Sequence, residues 1–223
     1  MKKVSVIIDG FNLYHAIKGL NKPHLKWVNV RALAGCFINH TDEEIARVLF
    51  FTASPIHTPL AVQERYKAYT EALRQVGVQV IEGQFKKKFL SVEHEGKKIS
   101  KQTHEEKETD VNIALAIVED AFERTSDKLI VITNDSDISP AIRMARRKNP
   151  KLKINVVTPP FDVKRANYDL MQACGSTNRN KQGQVYFQTR FIKEIHLERS
   201  LLPESMTTES GDVVTIPSQY KRP

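Results

Sequence analysis

The chain reads as an α/β protein built on a central, mostly parallel sheet. Short β-branched runs alternate with longer stretches of helical periodicity, the order expected of strand–helix–strand units. The runs themselves are continuously apolar, as buried strands are. Gly, Pro, Asn and Asp punctuate the joins. At 223 residues, with 40% hydrophobic and 27% charged, the chain can close one substantial core and carry a smaller appendage.

The first strand covers residues 3 to 8 (Lys3 and then Val-Ser-Val-Ile-Ile), and Asp9-Gly10 ends it. Asn12 to about Gly19 reads as a helix, with Leu13, Ile17 and Leu20 at helical spacing; Asn29 to about Phe37 is a second, shorter one. Arg47 to Thr52 is a buried strand that Ser54-Pro55 breaks. The clearest helix runs from about Pro59 to Val76, its stripe made by Val62, Tyr66, Tyr69, Leu73 and Val76. Pro59 suits the first turn and Gly77 the stop. Val78 to Ile81 is the third strand.

Residues 84 to 101 differ from what surrounds them. Lys86, Lys87, Lys88, Lys97, Lys98 and Lys101 face only two glutamates, with Phe85, Phe89, Leu90 and Val92 between. Glu95-Gly96 can turn a hairpin. The expectation is an inserted basic hairpin outside the sheet core.

Thr109 to about Arg124 is a helix whose buried face is expected to hold Val111, Ala114, Leu115, Val118, Ala121 and Phe122. Thr109 is its expected N-cap. Leu129 to Thr133 is the fourth strand and runs into Asn134-Asp135-Ser136-Asp137. A helix from about Pro140 to Lys148 and a fifth strand, Lys153 to Val157, complete the core, and Pro159-Pro160 breaks the pattern. Beyond about 161 it loosens: a helix over Ala166 to Cys174, a polar loop, a strand-like stretch from Gln184 to Leu197, and an extended tail turning at Gly211. The organisation expected is a core over 1–160, with the 84–101 insert, and a C-terminal extension over 161–223 packed on it.

The net charge of +8 leans toward a polyanionic partner, nucleic acid first, against a merely well-solvated basic surface. Two distant cysteines, Cys36 and Cys174, build neither a disulfide framework nor a zinc ribbon and suit a reducing compartment. No stretch approaches the ~20 apolar residues of a membrane helix. The apolar run at the N-terminus stops at Asp9, too early for a signal peptide. The expected location is the cytoplasm.

Three segments put acids where such a fold would gather them. Asp9 ends the first strand, Asp135 and Asp137 follow the fourth, and Asp110 opens the helix before it. The carboxyl ends of strands are where open α/β sheets hold ligands. Each acid also has a plainer reading: a strand-end Asp as a turn or cap, Asn134 to Asp137 as an Asx-rich turn, Asp110 as a helix-dipole partner. Their common placement favours chemistry. Two unit charges ~4 Å apart repel by about 4 kcal/mol at an effective dielectric near 20, so protons or a cation must neutralise the group. An all-oxygen set without clustered His or Cys favours Mg²⁺ or Mn²⁺ over zinc.

These same residues resemble a known family. Ile8-Asp9-Gly10-Phe11-Asn12-Leu13, then Lys107-Glu108-Thr109-Asp110-Val111, then Thr133-Asn134-Asp135-Ser136-Asp137-Ile138-Ser139-Pro140 are similar, in order, to the three signatures of NYN-domain proteins, a branch of the PIN-like metal-dependent ribonucleases. The match runs from about residue 3 to 160, and its third signature is the most specific. The resemblance implies a PIN-like three-layer sandwich and cleavage of RNA. It implies a metal-activated water, held in a four-aspartate site of Asp9, Asp110, Asp135 and Asp137, hydrolysing phosphodiester bonds with one or two Mg²⁺ or Mn²⁺ ions. Asn12 would position substrate or water by hydrogen bonding. Members often carry glycine before the helical Asp; this chain has Glu108-Thr109.

RNA contacts are expected from Lys86, Lys87, Lys88 and Lys107, and from Arg143, Arg146 and Arg147 in a run without acids. The insert and that run together outweigh the whole chain's +8, leaving the rest slightly acidic. The plainer readings are a solvated helix face for the arginines and an anchor to the core for Phe85 and Phe89. His104-Glu105-Glu106-Lys107-Glu108 lacks the second histidine of a zinc helix. No G-x-S-x-G or phosphate loop is present, and Phe11 breaks the D-x-D of haloacid-dehalogenase-type phosphatases. The expected function is a metal-dependent ribonuclease, an endonuclease first, with DNA left open and a homodimer allowed. The alternative is a non-catalytic RNA- or protein-binding module on the same fold.

Overall fold

The computed structural model describes residues 1–94, 97–160, 167–175, 177–179, 185–187 and 190–222. Its central strand is the first. β1 (Lys2–Asp9) is buried from Val4 to Asp9 because helices cover both of its faces. It pairs in parallel with β2 (Glu43–Ala53) on one side and with β5 (Lys128–Ile132) on the other. β3 (Gln79–His94) lies parallel to β2, and β6 (Lys153–Thr158) parallel to β5. With β4 (Lys97–Lys107) and the two-residue β9 (Arg190–Phe191) at the edges, the order is β4-β3-β2-β1-β5-β6-β9. The chain builds outward from β1 in one direction and then crosses to build in the other. The crevice between the carboxyl ends of β1 and β5 is therefore the switch point, where such sheets bind ligands.

Side-chain alternation sorts the two cores. Val4, Val6 and Ile8 point toward α1 (Gly10–Gly19), α2 (Val30–Gly35) and α3 (Leu60–Gln75), around the buried Trp27. Ile7, with Leu49, Phe51, Leu129 and Val131, points toward α4 (Thr109–Glu123), α5 (Ser139–Lys148) and α6 (Tyr168–Cys174). The chain is thus the expected three-layer sandwich. No helix among the described residues is long and apolar enough to cross a membrane.

Three expectations are corrected. α4 buries Ile113, Ala116, Ile117, Asp120 and Ala121, and leaves Val111 60%, Leu115 61% and Phe122 53% exposed. Asp120 hides the true face: it is fully buried, accepting from the Arg47 guanidinium at 2.9 Å and from the Ser126 hydroxyl. The basic insert is not separate from the sheet. β3 runs on past its pairing with β2 and pairs antiparallel with β4 from Gln84↔Lys107 to His94↔Lys97, forming an arm at the sheet edge; its Glu95-Gly96 turn lies outside the described residues. The stretch from 184 to 197 is not one strand. Its described parts are β8 (Val185–Phe187), which pairs with β7 (Thr177–Arg179), then β9, then α7 (Glu194–Glu198).

The C-terminal residues complete the first core. Leu197, Leu202 and Ile216 are buried in it. The Trp27 indole N–H donates to the Pro203 carbonyl at 2.9 Å, and the Asn29 N–H to the Ser200 carbonyl at 2.6 Å. A small hairpin, β10 (Ser205–Thr207) with β11 (Val213–Thr215), turns through Gly211 at φ +88°. The chain beyond it brings Tyr220 beside the flank of α1.

Candidate active site

Asp9 sits at the end of β1 and serves as the cap of α1. Its Oδ1 accepts the Asn12 N–H at 2.9 Å. Its Oδ2 accepts the Thr133 hydroxyl at 3.0 Å, and that hydroxyl oxygen accepts the Asp135 N–H at 3.1 Å. The plain capping role is real, but the residue is only 4% exposed. Burial pushes its carboxyl up to about 6; the two hydrogen bonds pull down, and Asp110 and Asp135 push further up. Asp135 caps the short 3₁₀ turn Ser136–Ile138, accepting the Asp137 N–H at 2.9 Å. Asp110 lies in the first turn of α4. Its pKa is also raised, by burial first, then by Asp135, Glu106 and Asp137.

The four predicted aspartates therefore share one field at the β1–β5 switch point. They do not form a closed cage: among the described residues, no three His, Cys, Asp or Glu side chains are gathered to hold a metal ion. Asn12 proves to be a cross-tie. Its Oδ1 accepts the Asn134 N–H at 3.1 Å, and Asn134 in turn accepts the Asn167 N–H at 2.9 Å. That fixes the loop after β5 against α1 through the amide oxygen of Asn12.

Glu106 is the acid missed in the sequence. It, rather than Thr109, performs the capping of α4, accepting the Thr109 N–H at 2.9 Å and also the Thr109 hydroxyl. A carboxylate three residues before a helix start was the available signal. A side chain at Gly83 would press within 2.7 Å of the Lys107 carbonyl and 2.8 Å of Thr109 Oγ1, so glycine lets the arm's root close on this corner. The joint itself is Glu108, whose φ of +80° is left-handed. Only glycine adopts it without cost. Its ion pair with Lys86, 3.7 Å long and exposed, offsets little. Glu108→Gly is expected to raise stability by roughly 1 kcal/mol, read as a higher denaturant midpoint at unchanged m.

Of the expected RNA contacts, Lys86, Lys87, Lys88 and Lys107 line the part of the arm next to this corner. Lys88 and Lys107 share Glu105 at 3.0 and 3.1 Å on the exposed surface. The arginines are less favourably placed. Arg143 is exposed one turn into α5, but Arg146 and Arg147 lie about 11 Å down that helix from Ser139 at roughly 1.5 Å per residue. Arg146 is moreover committed to the Ala173 carbonyl at 2.9 Å and packs against Gly175.

Comparison with known proteins agrees with this architecture. The model of the NYN domain matches residues 3–177. A crystal structure of a protein of unknown function from Vibrio parahaemolyticus superposes with a TM-score of 0.53 at 16% identity, covering 86% of this chain and 94% of that one. A curated relative, the 6-hydroxy-3-succinoylpyridine 3-monooxygenase HspA of Pseudomonas putida, is 29% identical over 202 residues. The match covers 76% of this chain and 64% of that relative's length.

Proposed function

The chain belongs to the NYN-domain family, and from that premise we propose that it is a divalent-metal-dependent ribonuclease cutting within an RNA strand at the carboxylate edge. One observation carries the reading: a buried aspartate, pushed up to about 6 and facing two further aspartates, stands at the switch point of the sheet. Such a group gains from a cation. The donors are all carboxylate oxygens, and they are open rather than caged. Mg²⁺ and Mn²⁺ suit that arrangement, since Mg²⁺ keeps several waters and completes its shell with substrate phosphate. When bound, the metal supplies an acidified water and neutralises charge on a phosphoryl oxygen.

The chain's own residues do the positioning. Asp9 is immobilised by Asn12 and Thr133, so its orientation is set before substrate arrives. Asp135 is oriented by its own turn, and Asp137 is exposed at the mouth. Asp110 is offered from α4, whose first turn Glu106 holds. The lysines of the arm meet backbone phosphates on the approach.

The reading is tested with end-labelled and internally labelled RNA and single-stranded DNA, incubated with Mg²⁺ or Mn²⁺. Wild-type protein is expected to cut RNA, and Asp9→Asn and Asp135→Asn to lose on the order of 100-fold or more. Equal cutting by all three, or none by any, overturns it, and the second outcome leaves the non-catalytic module.

A second reading has one observation behind it. The HspA relative is named for a substituted pyridine, and an aromatic-lined cavity adjoins Gly10 here. Under that reading the site would take a small aromatic acid, and no RNA would be cut with any metal.

A further inference from the structure

The first turn of α1 has two sides. Asp9 and Asn12 belong to the carboxylate edge, whereas Gly10, Phe11 and Tyr14 line a cavity of ≈ 310 Å³. Its other walls come from the end of β2, the loop after it, α3, the root of the arm and the C-terminal Tyr220. Rings dominate it. Phe11 meets Phe85 edge-on at 5.9 Å, and His57 meets Phe85 at 4.4 Å while stacking on His104 at 4.4 Å. The Lys26 ammonium lies 5.2 Å from the Tyr14 ring centre and 5.9 Å from that of Tyr220. Among the described residues, Lys26 and Arg65 line the cavity, and no Asp or Glu does. The hydroxyl of Tyr66, another lining residue, is buried beside Thr52 and Glu82.

A slot of aromatic faces with two cations and no carboxylate matches a planar heteroaromatic ring with an anionic group attached to it. Gly10 directly follows Asp9, so the rim of the slot and the residue that bears the first carboxylate are neighbours in the chain, ~3.8 Å apart at their Cα atoms. We propose that this cavity receives one unpaired nucleobase of the strand being cut, held against the Phe11, Tyr14 and Phe85 rings, with Lys26 and Arg65 meeting its neighbouring phosphate. The assignment rests on the ribonuclease reading for its occupant. It makes single-stranded RNA the substrate class, because paired bases cannot leave the stack to enter a side slot without first unpairing.

The test is direct binding, which needs no cleavage. Full-length protein is titrated by NMR with the four ribonucleoside 5′-monophosphates, with ribose 5-phosphate, and with nicotinic acid as a free aromatic carboxylate. The monophosphates are expected to bind at least ~10-fold tighter than ribose 5-phosphate, since each base stacked on an aromatic side chain adds about that factor. Tyr14→Ala, at a 43% exposed position, and Phe85→Leu are expected to erase that difference while leaving the weak ribose 5-phosphate signal in place and the protein folded at the temperature of the titration. Monophosphates binding no better than ribose 5-phosphate overturn the proposal, and so does nicotinic acid binding in their place. Failure of the ribonuclease reading shows separately, as absent cleavage by a protein that still discriminates bases.

Discussion

Asp9→Asn will make the metal-free protein more stable at neutral pH by up to ~3 kcal/mol. The carboxyl is held at about 6 in the folded chain against an ordinary 3.8 when unfolded, and each tenfold change in proton affinity is worth about 1.4 kcal/mol. The sign follows from which state takes the proton more readily. Below the unfolded pKa, near 4, both states are protonated and the burial costs nothing. As pH rises from about 4 through 6, the unfolded chain ionises first, and stability is lost; above about 6 the full penalty stands. Wild type minus variant should therefore widen between about pH 4 and 6 and stay level above. Taking that difference removes the opposite trend from Asp42, Glu43, Glu105 and Glu198, all held low by cationic partners. The amide can still accept the Asn12 N–H, and the Thr133 hydroxyl can turn to accept from it. Adding Mg²⁺ or Mn²⁺ should raise the wild-type melting temperature and leave the variant's unchanged. A variant no more stable than wild type at neutral pH would show that the charge is already compensated by the fold.

One residue further along, the expected effect reverses. Gly10→Ala should cost ~3 kcal/mol or more. A β-carbon at Gly10 would stand 2.5 Å from the Phe51 carbonyl oxygen and 2.7 Å from the Phe50 ring. The ring is buried against Tyr69, and the carbonyl is part of β2 and cannot move without the sheet, so α1 must lift. Lifting α1 shifts the N–H that holds Asp9, so the metal-induced stabilisation should fall with the fold's own. Gly19→Ala at the other end of the same helix meets nothing within 4 Å and should be neutral or slightly stabilising. Urea unfolding of the pair separates a packing clash from a general intolerance of α1 to change; equal effects would remove the close approach as the cause.

What can be read in the sequence is whatever depends on local order. The strands announce themselves as continuous apolar runs, and Asp9 and Asp135 fall at or just beyond their ends. The carboxylate edge follows because strand ends converge by topology alone. What cannot be read depends on partners far along the chain. Asn12 finds the Asn134 N–H across 122 residues, a brace that no local pattern announces. Asp120 looks like an outward residue until Arg47 and Ser126 are seen around it, and that misplaces the buried face of α4. Glu106 escapes notice because the nearer Thr109 has the better capping side chain in isolation. The aromatic cavity is invisible for the same reason: its rings come from α1, the loop after β2, α3, β3 and the C-terminus, and no window of sequence holds more than a few.

The strand shared by core and arm has a consequence for scale. Gln79 to Gly83 of β3 is anchored to β2, and Gln84 to His94 continues outward paired with β4. About eleven residues at ~3.3 Å each make a projection on the order of 35 Å, comparable to the width of the sandwich it leaves. Its base is Gly83 on one side and Glu106 on the other, the same glutamate that holds the first turn of α4. The arm thus springs from the corner that carries Asp110. Any change in how the arm leaves the sheet therefore passes first through Gly83 and Glu106, the two residues that seat the first turn of α4.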